Sequence, residues 1–127
     1  MEINFGGYIA LSTVDYPGRA CITIFLRGCT KRCPWCQNKH LQDGETFVEV
    51  DEIFSIIRSA SPYVGAVVLS GGEPLEQIEA CKALSDYARE LGLWVGVHTS
   101  RRDLLTPDIL HYFDMVLMSD PNRDPRA

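Results

Sequence analysis

At 127 residues, 46% of them hydrophobic, the chain is long enough for one domain with a sizeable core and short for a complete α/β barrel. Its formal net charge of −5 argues against a general nucleic-acid binder. No apolar run is long enough to span a bilayer, and no basic stretch leads into an apolar segment and cleavage site, so the expected setting is the cytoplasm, away from membranes.

The segment from Met1 to Gly18 is expected to be irregular, punctuated by Gly6-Gly7 and by Asp15-Tyr16-Pro17-Gly18. The apolar run from Cys21 to Arg27 predicts a strand, and a cysteine-bearing loop follows it. Val50, Ile53, Phe54 and Ile57 recur at helical spacing, with Asp51 and Glu52 at the start, which predicts a helix over Val50 to Ser59. Ala66 to Leu69 is a short continuous apolar run, as in a strand buried on both faces. A second helix is predicted over Leu75 to Leu91, stopped by Gly92. Leu93 to Val97 reads as the third strand. Thr106-Pro107-Asp108 caps a short helix through Tyr112, and Asp114 to Met118 reads as the fourth strand. The tail from Pro121 to Ala127 is polar and expected to be loose. Strands alternating with helices imply a parallel sheet, here of about four strands, with its site beyond the carboxyl ends. The loops rich in unusual residues all fall at those ends.

The first such loop reads Arg27-Gly28-Cys29-Thr30-Lys31-Arg32-Cys33-Pro34-Trp35-Cys36-Gln37-Asn38. Three cysteines this close, in a chain without secretory features, point to a metal rather than to a disulfide framework. A structural zinc site and an ordinary four-iron cluster each take four protein ligands. Three cysteines on a cubane leave one iron open. The basic residues Arg27, Lys31, Arg32 and Lys39 surround the loop, either as a solvated face or as an attraction for an anionic group. Cys21 begins the first strand, about 20 Å from the loop at roughly 3.3 Å per residue, and Cys81 falls within the second helix, so neither is expected to be a ligand. A structural zinc module, with His40 or another residue as a fourth ligand, is the non-enzymatic alternative, but it gives the next motif no role. That motif, Gly71-Gly72-Glu73-Pro74, joins the second strand to a helix and lets the backbone approach a ligand closely. His111 reads as structural, and His98 stands at the site end of the third strand. Arg101 and Arg102 read as a solvated face or as carboxylate binders.

With Cys29, Cys33, Cys36, Trp35 and Gly71-Gly72-Glu73-Pro74 in place, the chain resembles the radical S-adenosylmethionine (SAM) enzymes over almost its whole length. The resemblance implies a partial (β/α) barrel, with a truncated core over residues 1–120 and a tail over 121–127. It implies a 4Fe–4S cluster on Cys29, Cys33 and Cys36, with SAM chelating the fourth iron. Gly71, Gly72, Glu73 and Pro74 would hold the methionyl end, and Trp35, Cys36, Gln37 and Asn38 would lie near the adenine. Thr99, Ser100 and Asp120 are implied as further cofactor contacts. The reduced cluster would pass one electron to the SAM sulfonium, releasing a 5′-deoxyadenosyl radical that abstracts a hydrogen atom. Ser12-Thr13-Val14-Asp15-Tyr16-Pro17-Gly18-Arg19, followed by Phe25-Leu26-Arg27-Gly28-Cys29, is similar to the glycyl-radical-enzyme activases, above all those of anaerobic ribonucleotide reductase, and also to pyruvate formate-lyase activating enzyme. The implied partners are a glycyl radical enzyme and a reductant such as flavodoxin or ferredoxin. Three positions depart from the activase pattern: Gln37 stands where histidine is common, Ser100 follows Thr99, and no lysine follows Asp120. The small-molecule alternative is a likeness to the 7-carboxy-7-deazaguanine synthases. An open sheet edge would call for a partner or a homodimer.

Overall fold

The computed structural model describes residues 1–28 and 45–118. Six strands form one sheet: β1 (Glu2–Ser12), β2 (Cys21–Leu26), β3 (Phe47–Glu49), β4 (Ala66–Gly71), β5 (Trp94–Thr99) and β6 (Met115–Met118). Their order across the sheet is β3-β1-β2-β4-β5-β6. The four expected strands β2, β4, β5 and β6 run parallel, and β1 pairs antiparallel with both β2 and β3. The mixed α/β class with a parallel sheet is therefore as expected, with two antiparallel strands added at one edge.

The added strands correct the expectation of an irregular N-terminus. Gly6-Gly7 is a bulge rather than a turn: the β1–β2 register slips between Phe5 and Gly7, and Gly7 adopts φ 116°. A glycine at positive φ within a strand is how such a slip is accommodated. β3 has only three residues, too few for an alternation to show.

Two helices, α1 (Val50–Ala60) and α2 (Ile78–Glu90), cover one face of the sheet. Ile53 and Ile57 of α1 and Cys81, Leu84 and Ala88 of α2 share one core with Ile22, Ile24 and Leu26 of β2, Val67 and Leu69 of β4, and Val95 and Val97 of β5. Each fully buried Ile or Leu contributes about 1.5–3 kcal/mol. The predicted second helix is split: Pro74–Gln77 form a 3-10 turn, and the α-helix starts only at Ile78. A short helix, α3 (Pro107–Leu110), is capped as expected by Thr106, whose hydroxyl accepts from Ile109 N at 3.4 Å. The opposite face carries a smaller cluster of Tyr16, Cys21, Ala66 and Val68, with Met115 packed against it.

Candidate active site

At the carboxyl end of β4 the backbone crosses that of β2 at very short range. Gly71 adopts φ 105°, and a Cβ there would lie 2.4 Å from the Leu26 carbonyl oxygen. A Cβ on Gly72 would lie 2.4 Å from the Gly28 carbonyl oxygen. Glycine is therefore required at both positions by the chain itself. Gly72 N donates to Leu26 O at 2.7 Å and Glu73 N to Gly28 O at 2.8 Å. With these amides taken, the segment can offer a ligand acceptors rather than donors.

Glu73 is fully buried, and its carboxylate collects four donors. Leu75 N and the Thr99 hydroxyl reach Oε2 at 2.9 and 2.7 Å. Ser100 N and the Ser100 hydroxyl reach Oε1 at 2.8 and 3.1 Å. Four donors match the lone-pair capacity of a carboxylate. The structure thus brings Gly71, Gly72, Glu73, Pro74, Thr99 and Ser100 together, with the hydroxyls of Thr99 and Ser100 turned to Glu73. Arg101, next along, pairs with Glu76 at 2.8 Å and Asp103 at 2.7 Å, carboxylates of its own chain. Arg102 is exposed.

A second polar node lies on the face away from α1 and α2. Asp15 Oδ2 accepts from the Ser12 hydroxyl at 2.8 Å and the Thr23 hydroxyl at 2.7 Å. His98 Nε2 lies 3.2 Å from the Asp15 carbonyl oxygen, and its Nδ1 lies 3.4 Å from Ser70 Oγ. A carbonyl can only accept, so this contact fits the tautomer protonated at Nε2, with Ser70 donating to Nδ1. His98 therefore ties the Asp15-Tyr16-Pro17-Gly18 segment to β4 and β5. Tyr16 closes over Gly96, where a Cβ would meet its ring at 3.1 Å.

Cys29, Cys33, Trp35, Cys36, Gln37, Asn38 and Asp120 lie outside the described residues, as do His40 and the basic residues Lys31, Arg32 and Lys39. The described chain nevertheless fixes where the cysteine loop starts, because Gly28 precedes Cys29 and its carbonyl is held by Glu73 N. Arg27 Nε, one residue earlier, is buried without a hydrogen-bond partner among the described residues. Among those residues no group of three or more His, Cys, Asp or Glu is placed to hold a metal ion. Cys21 and Cys81 are both buried, and burial pushes both thiols up. The Cys81 thiol donates to Pro74 O at 3.1 Å. His111 is exposed at the end of α3, and its carbonyl accepts from Arg89 at 2.6 Å. Asn4 and Gln77, which bond to Thr46 N and Arg27 O respectively, carried no signal in the sequence.

A mostly parallel α/β sheet has the Gly-Gly-Glu-Pro turn at the carboxyl end of β4, and the three-cysteine segment follows β2 in sequence. The chain belongs to the radical SAM superfamily, whose family description it matches over residues 23–115. It is 39% identical over 101 residues to a Methanocaldococcus jannaschii protein named as a candidate glycyl-radical enzyme activating enzyme, covering 79% of this chain and 41% of that protein. It is 36% identical over 98 residues to the pyruvate formate-lyase-activating enzyme of Staphylococcus aureus, covering 72% of this chain and 39% of the relative. The chain thus spans about two fifths of the length of these curated relatives. Among solved structures, QueE from Escherichia coli superposes with a TM-score of 0.66 at 20% identity, covering 79% of this chain and 53% of QueE, a likeness of fold. The cofactors of the superfamily are a 4Fe–4S cluster and SAM.

Proposed function

We propose that this chain is the SAM-binding core, residues 1–120, of a radical SAM enzyme that installs a glycyl radical in a partner of the anaerobic ribonucleotide reductase type. The observation that carries the site is the bond from Glu73 N to Gly28 O, which sets the Gly-Gly-Glu-Pro turn beside the start of the three-cysteine loop. The residues fit the cofactors chemically. Three thiolates at Cys29, Cys33 and Cys36 suit a cluster with one open iron. The buried Nε of Arg27, without a partner among the described residues, suits an anionic group nearby.

The Gly71–Pro74 turn, with its Gly72 and Glu73 amides spent on Leu26 O and Gly28 O, would offer carbonyl oxygens to the methionyl ammonium. Glu73 would hold Thr99 and Ser100 in place around it. Trp35, Cys36, Gln37, Asn38 and Asp120 are assigned to the remaining cofactor contacts on the family likeness alone. When bound, the cluster and SAM together supply one-electron cleavage of a carbon–sulfur bond and a hydrogen-abstracting radical. The names of the relatives, with the Ser12–Arg19 lead-in, support the activase reading over a small-molecule one. We place the enzyme in the cytoplasm, served by a flavodoxin- or ferredoxin-type reductant. No helix among the described residues is long and apolar enough to cross a membrane.

The test is anaerobic incubation of the reconstituted chain with SAM, reductant and candidate glycyl radical proteins, read by electron paramagnetic resonance. The expected result is a glycine-centred doublet in the partner that requires both SAM and reductant. SAM cleavage that no partner accepts, but that a small metabolite accelerates, would replace the activase reading with a small-molecule one. Uptake of zinc in place of iron and sulfide would remove both.

A further inference from the structure

The segment that carries the three cysteines follows Arg27-Gly28 in sequence, and the described chain resumes at Glu45-Thr46. The structure ties these two points together through a pair of side-chain amides. Asn4 lies in β1, between the two. Its carbonyl accepts from Arg27 N at 2.9 Å, and its side-chain Oδ1 accepts from Thr46 N at 2.7 Å. Phe5 N adds a bond to Thr46 O at 2.9 Å. Gln77 closes the group from the far side of the Gly-Gly-Glu-Pro turn. Its Oε1 accepts from Asn4 N at 2.8 Å, and its Nε2 donates to Asn4 O at 3.2 Å and Arg27 O at 3.1 Å. Donor and acceptor ends of the Gln77 amide are both used, which fixes its orientation. The backbone at Gln77 departs from helical geometry, with φ −121° and ψ 48°, and α2 begins only after it. Asn4 is buried and Gln77 half-buried.

We propose that Asn4 and Gln77 are positioning residues for the metal cluster, closing a stem formed by Arg27 and Thr46, the described residues that flank the cysteine-bearing segment. This rests on the reading that those cysteines hold an iron–sulfur cluster. Holding the two flanks of a segment at a fixed spacing reduces the arrangements open to what lies between them. Gln77 also joins the stem directly to the turn assigned to SAM, so the two halves of the site share one anchor. Groups that orient metal ligands without touching the metal commonly change metal affinity by about 10–100-fold when removed.

The experiment compares Gln77→Met and Gln77→Glu with Ile57→Ala, a core change near the end of α1. The full chain is reconstituted anaerobically with iron and sulfide. Iron and sulfide per chain, the rate of iron release to a ferrous chelator, and the melting temperature of the metal-free chain are then measured. Gln77→Met should release iron about 10-fold faster than the unmodified chain. Gln77→Glu should release it faster still, because its carboxylate would face the carbonyls of Asn4 and Arg27. Ile57→Ala should lower the melting temperature at least as far, yet release iron at the original rate. Should Gln77→Met fail to fold, Gln77→Asn, which shortens the reach by one methylene, takes its place. Release rates that follow melting temperature across all variants, or a Gln77 variant that holds iron as well as the unmodified chain, would overturn the proposal. An unmodified chain that takes up no iron–sulfur cluster would instead overturn the reading beneath it.

Discussion

Each end of the parallel sheet is finished by a carboxylate that bonds to backbone N–H groups, and the two are built differently. At the amino end, Asp114 accepts from Val95 N at 2.8 Å and pairs with Arg89 at 3.3 Å, both charged groups being partly open to solvent. At the carboxyl end, Glu73 is fully buried and collects its four bonds from two amides and two hydroxyls. A half-exposed ion pair needs little from its surroundings and contributes little, about 0–1 kcal/mol. A desolvated carboxylate held by neutral donors persists only while every one of them stays in place. The amino end is finished for register. The carboxyl end is rigid through mutual dependence, as an assembled site must be.

The largest loss is expected at Glu73. Glu73→Ala would strand four donors, two of them backbone amides, at about 1–3 kcal/mol for each that stays unsatisfied. We expect a stability loss above 3 kcal/mol by urea unfolding, on the order of the sum of a few such donors. In Glu73→Gln, which retains one acceptor oxygen, we expect SAM affinity to fall about 10-fold by calorimetry on the reconstituted chain, equivalent to about 1.4 kcal/mol. Unchanged SAM affinity in Glu73→Gln would place Thr99 and Ser100 outside the cofactor site.

Ser100→Ala sharpens the contrast by removing one hydroxyl and leaving the amide bond. It should cost about 1 kcal/mol and weaken SAM less than Glu73→Gln does. An effect as large as that of Glu73→Gln would show that Ser100 meets the cofactor as well as Glu73. The smallest effect is expected at the other end. Asp114→Asn keeps an oxygen for Val95 N and loses the charge opposite Arg89. It should cost at most about 1 kcal/mol in thermal unfolding and leave SAM binding unchanged. A change in SAM affinity there would dissolve the distinction between the ends.

The parallel strands were legible because β2, β4, β5 and β6 are apolar runs at spacings that alternate with helical patterns. β1 was not, because the residue pair that signals a turn in most contexts, Gly6-Gly7, here serves a bulge. The cysteine triplet and Gly71–Pro74 stood out by composition and spacing, and the family comparison agrees with the class they implied. What local sequence could not convey is which groups serve which. Gly71 is glycine because Leu26 of β2 passes within contact distance, and Gly72 because Gly28 does. The hydroxyls of Thr99 and Ser100 answer to a buried carboxylate. Asn4 and Gln77 meet across a separation of 73 residues, and two lone amides leave no periodic trace.

That separation bears on how the protein is made. A ribosome adds about 5–20 residues per second, and contacts distant in sequence close late. The cysteines emerge early, soon after β1 and β2, whereas Gln77 follows only after α1, β4 and the glycine turn have been synthesised. Until then Asn4 and Arg27 lack the amide that joins them to the Gly-Gly-Glu-Pro turn. The anchor that joins Asn4 and Arg27 to the glycine turn is therefore among the last parts of this end of the sheet to form, well after the cysteines have left the ribosome.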